Sequence, residues 1–137
     1  MKPGVDLAEV AAAVAQVARD EHPHIDVQVS GAGTVTADRD MVRQVLMNLT
    51  LNACQALGDD GRVELRVGGR TVTVNDDGSG LHPDALAHLF EPFFTTKLRG
   101  TGLGLAISHR LARMMSARLT HDDHSELGGA SFSLRFL

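Results

Sequence analysis

The chain has 137 residues, 43% of them apolar, and a formal charge of −4, which suits one globular domain with a core of its own. The acidic balance argues against a broad basic face for nucleic acid, and no apolar run is long enough to span a membrane. The Met-Lys-Pro-Gly start lacks the apolar stretch of a signal peptide, and a single cysteine, Cys54, leaves no internal disulfide and fits a reducing, cytoplasmic compartment.

In chain order, Asp6 to about Arg19 reads as a helix. Asp6 is placed as N-cap, Glu9 closes a capping box, and Leu7, Val10, Ala11, Val14, Val17 and Ala18 recur at helical spacing. Ile25 to Ser30 alternates as a strand. Gly31-Ala32-Gly33 reads as a turn, and Thr34 to Ala37 as a short strand. Asp38 to Leu57 is the longest predicted helix, ended by Gly58. Arg62–Val67 and Arg70–Val74 form a hairpin about Gly68-Gly69. Pro83 opens a short helix to about Phe90, and a further helix runs from about Gly102 to Met115. Two closing strands follow, near Leu119 and over Ala130–Phe136, joined by a polar turn that holds His121 and His124. Hairpins outnumber βαβ crossovers. The expected fold is therefore an α+β two-layer sandwich, with a mostly antiparallel mixed sheet of about five strands and three main helices on one face.

The chemistry concentrates in three places. On the long helix, Gln44, Asn48, Asn52 and Gln55 form an uncharged polar stripe beside the apolar one. A solvated helix face would carry Glu and Lys, so amides at successive turns suggest a face turned into a cleft. An Asn oxygen can complete a Mg²⁺ shell next to phosphate oxygens; taken alone, Asn52 reads equally as a surface amide. Next, Asp76-Asp77-Gly78-Ser79-Gly80 follows a strand. A carboxylate there can accept from an exocyclic amine such as that of adenine, although the segment alone is also an ordinary Asp-Gly turn. Finally, Gly100-Thr101-Gly102-Leu103-Gly104-Leu105 opens a helix. Exposed N–H groups at such a start hold an anion. No Lys-Ser/Thr follows, which excludes a Walker A loop, and the third glycine comes one residue early for a dinucleotide fingerprint. Between the glycine groups lies a long loop with Phe90, Phe93, Phe94, Thr96 and Lys97, of a length typical of lids and binding loops.

These segments, in this order, resemble the ATP-binding catalytic domain of two-component sensor histidine kinases of the GHKL superfamily, and the nitrogen-regulator sensor type in particular. NLTLNACQAL resembles the N box, Val74–Leu81 the G1 box, LFEPFFTTK the F box, GTGLGLAISHRL the G2 box, and GGASFSLRF the last strand pair. The resemblance implies the Bergerat ATP-binding fold, with ATP and Mg²⁺ as cofactors. By this likeness Asn52 binds the metal, Asn48 lines the phosphate side, and Gln55 stands where many members carry Lys. Asp76 reads the adenine amine, Gly78 and Gly80 open the lid, and Leu81 walls the base pocket. Phe90 and Thr96 belong to the lid side of the nucleotide site. Lys97 and the backbone of Gly100, Thr101, Gly102, Leu103, Gly104 and Leu105 hold the phosphates.

The implied reaction is transfer of the γ-phosphate to a histidine on a separate dimerisation hairpin, with a response-regulator receiver domain downstream. None of the seven histidines lies in the acid-following helical setting that the family uses for its phosphoacceptor. The chain is therefore expected to be a monomeric catalytic domain, without membrane contact, that binds ATP but turns it over poorly alone. Three rival readings fit the sequence less well. A gyrase, mismatch-repair or chaperone type ATPase carries a Glu base four residues before the metal Asn; here that position is Asn48, which cannot take a proton from water. A stand-alone serine kinase of the anti-sigma-factor type also uses an acid in the N box. A nucleotide-sensing scaffold without catalysis is disfavoured by the intact Asn52, Asp76 and glycine set.

Overall fold

The structure, a computed structural model, describes residues 4–58, 60–78, 104–122 and 127–137. Strand β1 (Gly4–Asp6) leads into α1 (Leu7–Glu21), followed by β2 (Ile25–Ala32), β3 (Thr34–Thr36) and α2 (Arg39–Leu57). Then come β4 (Gly61–Gly68), β5 (Thr71–Asp76), α3 (Gly104–Met114), β6 (Ala117–Asp122) and β7 (Ser131–Phe136). The predicted short helix from Pro83 lies outside the described residues.

Both long helices begin where an aspartate can satisfy orphan N–H groups. Asp6 Oδ1 accepts from the amides of Ala8 and Glu9 at 3.0 and 3.2 Å. Asp38 Oδ1 does the same for Asp40 and Met41 at 3.0 and 3.2 Å. The expected capping box at Glu9 does not close: its carboxylate instead receives Arg39 at 3.1 Å. Gly58 ends α2 with φ 77° and donates to the Cys54 carbonyl.

The main sheet has the order β2-β4-β5-β7-β6, with β2 parallel to β4 and the other pairs antiparallel. Strand β5, which ends in Asp76, is thus central. Alternation sends Val63, Leu65, Val67, Val72, Val74, Phe132 and Leu134 into the core. The three helices cover that face: α1 lies against β2 and β4, α2 against β4 and β5, and α3 against β6. The other face is polar, with Glu64 paired to Arg66 and Thr73 bonded to Ser133.

Three sequence readings are corrected. Gly31-Ala32 is not a turn: both residues extend β2, paired with Val67 and Gly68. A Cβ on Gly31 would stand 1.7 Å from the Val67 carbonyl oxygen, and its φ is 88°, so the glycine permits a close backbone approach. The N-terminal strand β1, which pairs with β3 in a small second sheet, was not predicted; three residues carry no periodicity. His121 lies within β6, its ring tilted against that of Phe132 with centroids 5.1 Å apart, and not in a polar turn.

Candidate nucleotide site

The two adjacent aspartates at the end of β5 have different fates. Asp77 is exposed, and its Oδ1 accepts from the Arg62 amide at 2.8 Å while its own amide donates to the Arg62 carbonyl. It pins the start of β4 to the end of β5. Asp76 is only 6% exposed. Its Oδ1 accepts from the amides of Gly78 at 3.0 Å and Ala130 at 3.1 Å. Its backbone is gripped as well: its carbonyl accepts from Gly129, and its amide donates to the Ala130 carbonyl, both at 3.0 Å. A buried carboxylate needs such donors, and here one comes from its own turn and the other from the chain entering the neighbouring strand. They also fix the carboxylate's direction, which a base-reading group requires.

Gly129 makes this grip possible. A Cβ there would fall 2.1 Å from Asp76 Oδ1 and 2.6 Å from the Gly78 nitrogen. Gly78 is also close-packed, with a Cβ meeting Leu57 Cδ2 at 3.1 Å. The end of α2 therefore closes on the Asp76 turn.

The middle of α2 faces α3. Asn48 Nδ2 donates to the Gly104 carbonyl at 3.3 Å and to Ser108 Oγ at 3.1 Å. Asn48 Oδ1 accepts from Gln44 at 3.0 Å, and Ser108 Oγ donates to the Gly104 carbonyl at 2.8 Å. Asn52 lies one turn further along the same face, half-buried; Gln44 and Gln55 are exposed. At 1.5 Å per residue, about 13 Å of α2 separates Asn48, at the start of α3, from Leu57, at the Asp76 turn. One helix thus spans from the glycine end of the site to the carboxylate end.

Gly104 has no packing reason to be glycine, because a Cβ there would meet nothing within 4 Å. Bare backbone at a helix start, open to solvent, suits an anion. Leu105 is half-buried beside it and contacts the core. The remaining predicted positions, Gly80, Leu81, Phe90, Thr96, Lys97, Gly100, Thr101, Gly102 and Leu103, lie outside the described residues. Among the described residues no group of three His, Cys, Asp or Glu side chains could hold a metal. The Asn52 amide oxygen, with phosphate oxygens, is a donor set that Mg²⁺ accepts. A hollow of about 530 Å³ beside the C-terminal half of α3, lined by His109, Arg113, Arg118 and Leu137, includes none of the predicted site residues.

A profile described as the histidine kinase-, DNA gyrase B- and HSP90-like ATPase family matches residues 37–137. The chain belongs to this ATPase family. The domain is 44% identical over 81 residues to the sensor histidine kinase ZraS of Escherichia coli K12, covering 56% of this chain and 17% of that protein. It is 43% identical over 112 residues to the C4-dicarboxylate transport sensor DctB of Pseudomonas aeruginosa, covering 75% and 18%. The chain thus spans about a fifth of the length of such relatives. Among solved structures, the mycobacterial sensor kinase MprB superposes with TM-score 0.85 at 24% identity, over 98% of this chain and 95% of that one, which is a likeness of fold. Full-length ShkA in complex with AMPPNP gives TM-score 0.78 at 33% identity, over 96% of this chain and 30% of that one. The ATPase domain therefore has the expected two-layer fold and is an ATP-binding domain of the histidine-kinase kind.

Sequence reasoning missed three positions that the tertiary structure gathers here. Gly129 and Ala130 act through backbone, and the Gly-Gly pair before the last strand was their one visible sign. Ser108 carried no signal at all. Cys54 is fully buried, and burial, with Glu21 adding repulsion, pushes its thiol up to about 11. It has no nucleophilic character at neutral pH.

Proposed function

We propose that the domain binds Mg·ATP between α2, the Asp76 turn and the start of α3, and presents the γ-phosphoryl to a histidine on a helical dimerisation hairpin of a longer sensor kinase. A receiver domain of a response regulator would take the phosphoryl next, and the domain would work in the cytoplasm. Phosphoryl transfer demands positioning and charge neutralisation more than covalent help from the protein. Asp76 accepts the adenine amine. The amide oxygen of Asn52 contributes to the metal shell, and the metal neutralises phosphate charge. The N–H groups from Gly100 to Leu105, with Lys97 and Thr96, receive the phosphates; Leu81 and Phe90 enclose the nucleotide from the lid side.

The observation that carries the reading is Asn48. A hydrolase of this superfamily needs a base there to activate water. Here the position holds an amide whose Nδ2 donates to two acceptors on α3. That supports transfer to a supplied nucleophile over hydrolysis, and it also disfavours the serine-kinase alternative. The test mixes the domain with γ-labelled ATP, Mg²⁺ and a separately made histidine-bearing hairpin of a sensor kinase. An acid-labile, alkali-stable label on the hairpin is expected. Fast ATP hydrolysis by the domain alone, with no label on the hairpin, would overturn the proposal.

A further inference from the structure

The geometry points to Ser108 as a positioning residue that sets the phosphate-facing start of α3 through Asn48. Ser108 is fully buried, one turn into α3. Its Oγ is a relay: it donates to the Gly104 carbonyl at 2.8 Å and accepts from Asn48 Nδ2 at 3.1 Å. The second Asn48 N–H reaches the same Gly104 carbonyl at 3.3 Å. Gln44 on the preceding turn donates to the Asn48 oxygen, and a flipped amide would set that oxygen against the Gly104 carbonyl. The first peptide group of α3 is thereby tied to α2 by a closed triangle of hydrogen bonds.

The triangle depends on an amide at position 48. Both bonds from Asn48 to α3 use its N–H groups, and a carboxylate at that position has none to give. It would instead place negative charge against the Gly104 carbonyl. Among the described residues these bonds are what ties the Gly104 peptide to α2, since Gly104 is exposed and a Cβ on it would meet nothing. N–H groups bind an anion well only when they are already aimed at it. Ser108 does not touch nucleotide in this account. It acts through the Gly104 peptide and through the orientation of Asn48, one turn from Asn52.

Ser108 has this role only if the start of α3 faces the phosphates, as proposed above. The test measures binding of AMPPNP with Mg²⁺, and of adenosine, to the whole chain and to three variants. Ser108→Ala removes the relay hydroxyl. AMPPNP affinity is expected to fall about tenfold, the scale of one or two net hydrogen bonds, while adenosine affinity changes less than twofold. Ser108→Thr and Ser108→Val are isosteric, so their difference reads the hydroxyl without a cavity. The Thr variant is expected to keep the wild-type ratio of the two affinities, and the Val variant to lose it. Equal losses for both ligands, or no loss for either, would overturn the role of Ser108 and leave the nucleotide site standing. Failure of the wild-type chain to bind AMPPNP would remove the site reading itself, and the role of Ser108 with it.

Discussion

Replacing Gly129 by alanine tests how the Asp76 carboxylate, proposed to read adenine, is held. The new Cβ would lie 2.1 Å from Asp76 Oδ1, 2.6 Å from the Gly78 nitrogen and 2.7 Å from the Asp76 carbonyl oxygen. Two of those atoms are backbone and cannot swing aside. The segment must therefore move by roughly 1 Å, as judged against ordinary contact distances of 3.5–4.0 Å. That displacement breaks the Gly129 bond to the Asp76 carbonyl and the Ala130 bond to Asp76 Oδ1. Overpacking costs about 1–3 kcal/mol, and the lost bond to a buried carboxylate costs about 1.5–3 kcal/mol more. The expected total of about 2.5–6 kcal/mol is a large share of the stability of a domain this size. It should lower Tm by roughly 10–20 °C. Gly128→Ala is the control. Its φ of 101° strains alanine, but its Cβ meets nothing, so it costs about 1–2 kcal/mol and leaves nucleotide binding intact. Thermal unfolding and adenosine titration of both variants make the comparison. If Gly129→Ala matches Gly128→Ala in both measurements, Gly129 does not hold Asp76 and the account of that grip is wrong.

Four further outcomes are expected. Gly104→Ala should leave stability unchanged or raise it by less than about 1 kcal/mol, yet weaken AMPPNP binding measured by calorimetry; unchanged affinity would mean no phosphate approaches that peptide. Asn52→Ala should abolish the Mg²⁺ dependence of AMPPNP binding, and a titration that still responds to Mg²⁺ would remove Asn52 from the metal shell. Asp77→Ala should cost about 1 kcal/mol through the lost bond to the Arg62 amide without touching nucleotide affinity; a loss of binding would show that the two aspartates do not divide their roles. The raised Cys54 thiol gives a pH signature. The unfolded thiol ionises from its ordinary value of 9.0 while the folded one keeps its proton to about 11. The stabilisation is therefore fully present below pH 9 and lost as pH rises towards 11, by at most about 3 kcal/mol. Denaturant unfolding of wild type and Cys54→Ala should show a stability gap that narrows over that window, and a constant gap would contradict the burial of the thiol.

The sequence by itself determined the elements whose cause is local. Asp6 and Asp38 cap their helices, Gly58 stops the second, and the alternation in Val63, Leu65 and Val67 marks a strand with one buried face. Motif order was legible too, because a nucleotide site reuses the same residue types at the same chain positions. That carried the reading as far as the ATPase family and the α+β sandwich. Tertiary structure decided what depends on residues distant in the chain. Ala130 meets Asp76 across 54 residues and Ser108 meets Asn48 across 60, and neither approach leaves a periodic trace. The Gly31-Ala32 pair looked like a turn because glycine has two uses, bending and close approach, and only the neighbouring Val67 carbonyl says which one applies. The two aspartates of the DDG turn are likewise equivalent on paper. The antiparallel β4–β5 register turns one towards Arg62 and buries the other beneath Gly129. Side-chain type and spacing pointed to a nucleotide, and the likeness of the ordered motifs carried the reading to the ATPase family. Which groups are held still enough to perform the chemistry depended on the packing of α2 against β5 and α3.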